Sequence, residues 1–216
     1  MSCVIIPIRA DRWRHRGPAP SAIVPWRLPY RPVRKGCPRN VQRSHLRYHR
    51  RHRRSAKDEL IASAKRQGPD SRETLQSHNV LARLLVGQGH HAEAEMAARH
   101  AYEGLGARLG EAHPEVLSAM NTLAGTLFYQ DKLEDLEQLA RRGVEIRVRT
   151  LGREHPETLD AMNNLGSVLL ELGRDAEAEK LLRETLEIRR RTLGPEHPRT
   201  LDSLMNVGRA LRQRGD

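Results

Sequence analysis

Residues Leu151–Thr192 read LGREHPETLDAMNNLGSVLLELGRDAEAEKLLRETLEIRRRT, and the chain repeats this block at a fixed interval of 42 residues. It aligns without a gap onto the copy before it and onto the partial copy after it. His113, His155 and His197 fall in register, each followed by a proline (Pro114, Pro156, Pro198), as do Leu109-Gly110, Leu151-Gly152 and Leu193-Gly194. A fixed period of roughly 20–50 residues marks a solenoid, in which each unit buries its apolar face against its neighbours. The expected job of such a chain is binding rather than chemistry.

Each block holds two amphipathic helices. In the first, helix A, Met120, Leu123, Ala124 and Leu127 stand at i, i+3, i+4 and i+7, one apolar stripe. The period carries this stripe to Met162, Leu165, Gly166 and Leu169, to Leu204, Val207, Gly208 and Leu211, and back to His78, Leu81, Ala82 and Leu85. The small third residue is what a close helix–helix approach requires. Helix B follows a turn at Gly89 or Gly173, with Ala178, Leu181, Leu182, Thr185 and Leu186 as its inward face. Leu136, Leu139, Ala140, Gly143 and Val144 match them one period earlier, while Glu177, Lys180, Arg183 and Glu187 read as a solvated face. Leu-Gly, or Gln67-Gly68, closes each B helix with a left-handed glycine cap. Proline then opens the next A helix, where its missing N–H costs nothing. Asp70 with Glu73 is read as a capping box for the first A helix.

Charge separates the chain into two parts. The net charge of +11 over 216 residues resides wholly in residues 1–54, where fourteen Arg and one Lys face the single acid Asp11. Residues 55–216 carry 23 basic against 26 acidic side chains. Seven of the twelve prolines lie in residues 1–54, with no sustained helical or strand period, so that leader is expected to be disordered. Ser44–Arg54 is expected to form a helix only against a polyanion. Both cysteines, Cys3 and Cys37, are in the leader, so the repeats need neither a disulfide nor a thiolate site, which suits a cytoplasmic protein. No stretch approaches the roughly 20 apolar residues that span a bilayer, and no membrane partner is expected. The expected organisation is a leader at 1–54 and an array at 55–216. The array comprises a partial helix B at 55–69, repeats at 70–111, 112–153 and 154–195, and a final helix A at 196–216. Leu204, Val207 and Leu211 of that last helix lack a covering B helix, which suggests a longer array or one completed by homo-oligomerisation.

These residues resemble tetratricopeptide repeats. The 42-residue pattern LGxEHPxTLxxxNNLxxLLxxxGRxxEAExLxRxxLEIR is similar to the kinesin-light-chain subtype, over residues 55–216. The resemblance implies an all-α fold, a right-handed α-solenoid of antiparallel helix pairs whose concave face is lined by A helices and holds a peptide. It also implies the groove positions. One column is Asn79, Asn121, Asn163 and Met205; the next is Val80, Thr122, Asn164 and Asn206; a third is Arg83, Gly125, Ser167 and Arg209. Asparagine offers a donor and an acceptor, so a ladder of them can pair with a peptide backbone whatever its sequence. Arg83 and Arg209 add charge-assisted bonds to ligand carboxylates. Val80, Thr122 and Met205 leave the ladder incomplete.

Catalysis is not expected. The chain has no nucleophile with its base, no glycine-rich phosphate loop and no HExxH motif, and no cofactor is implied. His113, His155 and His197 sit one repeat apart, about 10 Å at helix-packing distances, too far to share a metal. Six arginines beside His45, His49 and His52 argue against a cation there. The leading expectation is a non-catalytic adaptor for a protein or peptide. Two alternatives stay open. One is a nucleic-acid-binding protein that uses residues 1–54, with arginines on phosphate and Trp13, Trp26, Tyr30 and Tyr48 stacking on bases. The other is a detached regulatory repeat fragment of a larger signalling ATPase. The leader itself reads equally as a targeting segment or as sequence translated upstream of the true start.

Overall fold

The computed structural model describes residues 39–215, and among them the chain is helical, with eight helices and no strand. Expectations that fall on residues 1–38 lie outside the described residues. The helices are α1 (Arg39–Gln67), α2 (Arg72–Gly87), α3 (His91–Leu109), α4 (Pro114–Tyr129), α5 (Leu133–Leu151), α6 (Pro156–Glu171), α7 (Asp175–Leu193) and α8 (Pro198–Arg214). α2, α4, α6 and α8 are the A helices, and α1, α3, α5 and α7 the B helices. Two compact units divide between Gln130 and Asp131, inside the repeat expected at 112–153. Each unit holds four helices in the order B, A, B, A.

α1 begins well before the expected boundary at Ser55. One period before His91 is residue 49, so the helix also extends ten residues beyond the repeat. The sequence permits this. Pro38 is the last proline before Pro69, no glycine lies between Gly36 and Gly68, and arginine is a strong helix former. Proline and charge mark residues 1–38 as non-helical, and only charge continues to Arg54.

The A helices open as their HP pair requires, with a role for the histidine that turn chemistry alone does not supply. His113, His155 and His197 are the N-caps, and each ring Nδ1 accepts the backbone N–H two residues on (Glu115, Glu157, Arg199) at 3.2 Å. Proline follows as the first helical residue of α4, α6 and α8. α2 departs from the expected Asp70–Glu73 box. Ser71 is the cap, its Oγ accepting from Thr74 N–H at 3.2 Å, because the helix starts at Arg72 and Ser71 alone is adjacent to it. The glycines that close the B helices have positive φ but not the left-handed helical conformation: Gly152 has φ 88° and ψ 163°, Gly194 φ 90° and ψ 160°. That extended, positive-φ region is open to glycine almost alone, so the turn into the next A helix demands glycine more strictly than an ordinary cap.

Packing within each unit follows the stripes. In the second unit Leu165, Leu169, Ala178, Leu182, Val207 and Ala210 form one buried cluster, with Leu181, Leu211 and Val144 packed against it. Leu182 of α7 lies so close to Gly166 of α6 that a Cβ there would stand 2.6 Å from its side chain, which is the close approach read from the small third residue. In the first unit Leu81, Leu85 and Ala94 form a cluster that Ala56 and Leu60 of α1 complete, and Leu75, Ala101, Leu105, Val116 and Ala119 a second.

Candidate peptide-binding face

The asparagine columns lie on the A helices, but most of their hydrogen-bonding capacity is spent on the neighbouring A helix. In the second unit Asn163 of α6 and Asn206 of α8 are each 1% exposed. Asn206 Nδ2 donates to Asn163 Oδ1 at 3.2 Å, and Ser203 Oγ donates to the same oxygen at 3.3 Å. In the first unit Asn79 Nδ2 of α2 donates to Ser118 Oγ of α4 at 3.4 Å. The carbonyl oxygens of Asn79 and Asn206 are buried with no hydrogen-bond donor. A poor helix former therefore recurs in mid-helix because it ties one A helix to the next.

The other expected positions divide by exposure. Asn121, Arg83 and Val80 are exposed on the first unit's A helices, and Met205 on the second unit's α8. Asn164 keeps a narrow exposed edge. Thr122 and Ser167 turn their hydroxyls back onto the carbonyls of Ser118 and Asn163, four residues earlier. Arg209 is nearly buried and donates to Glu171 Oε1 at 2.6 Å, so its charge is met within the unit. Asn163, Asn206 and Arg209 are thus brought together with partners of their own unit, while Asn121 and Arg83 face solvent.

Beside the second unit's asparagines lies a buried charge network. Arg189 of α7 donates from Nη2 to Asp160 Oδ1 of α6 at 2.6 Å, and from Nη1 to Ser203 Oγ and to the Arg199 carbonyl, both at 2.8 Å. Arg199 donates to the second Asp160 oxygen at 2.7 Å. Burial pushes the Asp160 carboxyl above the usual carboxylate range against the pull of Arg189 and Arg199. Burial likewise lowers Arg189, against the pull of Asp160. In both groups desolvation outweighs pairing. Arg147, one period before Arg189, is nearly buried too and donates to the Gly143 carbonyl at 3.1 Å; burial lowers its pKa as well.

Sequence reasoning missed a third element. Glu95, Glu137 and Glu179 recur at the 42-residue period, and the arginine four residues on binds each one: Arg99 at 2.9 Å, Arg141 at 2.8 Å, Arg183 at 2.7 Å. A second donor comes from beyond the end of the next A helix in two cases, Gln130 to Glu95 at 2.7 Å and Arg174 to Glu137 at 2.6 Å. In the third, Arg214 at the end of α8 donates to Glu179. Glu137 and Glu179 are buried, unlike the glutamates read as a solvated face. The signal was the Glu–Arg pair at i, i+4 in three copies.

Among the described residues no group of His, Cys, Asp and Glu could hold a metal ion, and no helix is long and apolar enough to cross a membrane. Of the trio His45, His49 and His52, only the last has a described side chain, and it is exposed.

The helix pairs and caps define a class, and the comparisons agree. The tetratricopeptide repeat model matches residues 74–115, 116–157 and 158–199, so the chain belongs to the tetratricopeptide-repeat family. Its repeats are of the kinesin-light-chain-like type. A solved structure of the kinesin-light-chain TPR-like repeats of Podosopora anserina is 25% identical, with a TM-score of 0.70 over 80% of this chain and 86% of that one. A second structure of those repeats gives 25% identity and 0.69 over the same shares. BtubC (BKLC) from P. vanneervenii shares the fold at 21% identity and a TM-score of 0.68, over 81% of this chain and 69% of that one. Among curated proteins none matches this chain. The chain is an all-α solenoid of antiparallel helix pairs, and repeats of this family make it a protein-interaction scaffold.

Proposed function

We propose that this protein is a non-catalytic adaptor that holds a peptide segment of another protein against its A helices. The observation that carries this reading is the exposed part of the asparagine columns: Asn121 and Arg83 in the first unit and the edge of Asn164 in the second, next to Val80 and Met205. A carboxamide with free donor and acceptor can bind a peptide backbone, and Arg83 can take a ligand carboxylate. The apolar Val80 and Met205 favour a ligand that alternates polar and apolar contacts. Asn79, Asn163, Asn206 and Arg209 take a supporting part, fixing the spacing of the helices that present the exposed residues.

The test is capture from a native lysate by the full chain beside the Asn121→Leu/Arg83→Glu variant and the Asn163→Leu variant, with circular dichroism on all three. The reading expects the double variant to keep its helicity and lose its partner. Equal capture by the unmodified chain and the double variant sinks it.

A further inference from the structure

α8 presents an apolar stripe that no other helix covers. Leu201, Leu204 and Met205 are 45, 44 and 47% exposed. Gly208, one turn on, has nothing within 4 Å of where a Cβ would stand. One period earlier, on α6, the same register holds Leu159, Met162, Asn163 and Gly166; the first three are buried, and Leu182 of α7 fills the notch at Gly166. The stripe therefore has the composition of a covered helix face with its notch empty. Exposed apolar residues elsewhere are scattered singly, whereas these three are contiguous, and contiguous apolar surface marks an interaction site.

We propose that α8 packs antiparallel against α8 of a second copy of this chain, about a two-fold axis beside Met205–Gly208. Two features make the stripe complementary to itself, as a two-fold interface requires. Leu204 and Gly208 are one turn apart, so helices running in opposite directions set each Leu204 into the other's empty notch. Asp202 and Arg212 lie toward opposite ends of the exposed face, and neither has an ion pair among the described residues. The same axis brings each Arg212 beside the other copy's Asp202, whereas a parallel packing sets like charge against like. A head-to-tail contact with α1 lacks a counterpart. That helix exposes one large apolar residue, Ile61, amid Ser55, Asp58, Glu59 and Lys65, and Arg66 is already bonded to Glu59 at 3.2 Å.

Sedimentation velocity of the full chain over a wide concentration range tests this. The mass should rise from monomer to dimer as concentration increases. Leu204→Ser and Gly208→Leu, both at exposed positions, should leave the helical spectrum intact and shift the dissociation constant upward about tenfold or more. Asp202→Arg, which sets like charges opposite one another, should weaken the dimer similarly, and the exchange Asp202→Arg/Arg212→Asp should restore it. A chain that stays monomeric throughout overturns the proposal, and assigns the stripe to a helix of another kind. A dimer that survives both Leu204→Ser and Gly208→Leu, or a charge exchange that restores nothing, overturns it as well.

Discussion

Asn206 reaches from α8 to donate its side-chain amide to the carboxamide oxygen of Asn163 on α6, 3.2 Å away, where both residues are buried. Ser203 donates to the same oxygen, so one acceptor satisfies two donors. Replacing Asn163 by leucine removes the acceptor and leaves two buried donors without a partner. The expected cost is about 1–3 kcal/mol, read as a lower urea midpoint. Asn121→Leu, at an exposed position of the same column, should change stability by less than about 0.5 kcal/mol. Equal effects at the two positions would show that the Asn163 contact does not bear on stability.

Gly166 and Gly208 occupy one register position and are expected to respond oppositely. A Cβ on Gly166 meets Leu182 at 2.6 Å, and one on Gly208 meets nothing. Gly166→Ala should cost about 1–3 kcal/mol because Leu182 has to move in a packed cluster. Gly208→Ala, at an open site within α8, should stabilise by roughly 0.5–1 kcal/mol through helix propensity. Thermal melts at low protein concentration compare the two, and loss of stability in both would remove the packing explanation.

The legible part of this fold is what a period can encode. Heptad-like spacing places Leu165, Leu169 and Leu182 in a core, and the recurring HP and LG pairs mark where helices begin and end, because those requirements are local to each copy. Neighbours are not local. The column Asn79, Asn121, Asn163 and Met205 is one position in the repeat, yet the structure puts Asn163 beneath α8 and leaves Asn121 in solvent. Periodicity tells which face of a helix a residue occupies and not what lies opposite. The glutamates at 95, 137 and 179 were hidden for another reason: acids on a B helix read as solvated until the arginines that enclose them are seen. Likewise, the arginines of residues 39–54 carry the charge of a disordered segment while their backbone has no residue that breaks a helix.

His78 stands at the core position that Met120 and Met162 fill in the neighbouring repeats. Its ring meets that of His100 on α3 edge to face at 4.7 Å, and its Nδ1 is buried without a partner. Burial lowers its pKa below the ordinary value near 6.5; His100 adds to this and Asp70 opposes it. Those are the charged groups that bear on it among the described residues. The sign follows from linkage. The unfolded chain takes up the proton first, so stability is full above about pH 6.5 and falls as the pH drops below that value. His78→Met should flatten this part of the profile. Chemical denaturation from pH 7.5 down to pH 5, for the protein and the variant, checks it; parallel profiles would exclude His78 as the cause.

Asp160 and Arg189 are bonded at 2.6 Å, yet burial holds the aspartate above and the arginine below its ordinary pKa. The pair is therefore costly to bury and costlier to break. Asp160→Ala leaves a guanidinium, 3% exposed in its side chain, without its carboxylate, and should cost about 3 kcal/mol. Arg189→Met leaves Asp160 with Arg199, which is half exposed and still donates to it at 2.7 Å, so the loss should be smaller. The double variant removes both buried charges and should be more stable than Asp160→Ala alone, with a coupling energy of about 1–3 kcal/mol. Urea denaturation of the four proteins closes the cycle. Additive single effects would mean that Ser203 and the Arg199 carbonyl, rather than Asp160, compensate the buried charge of Arg189.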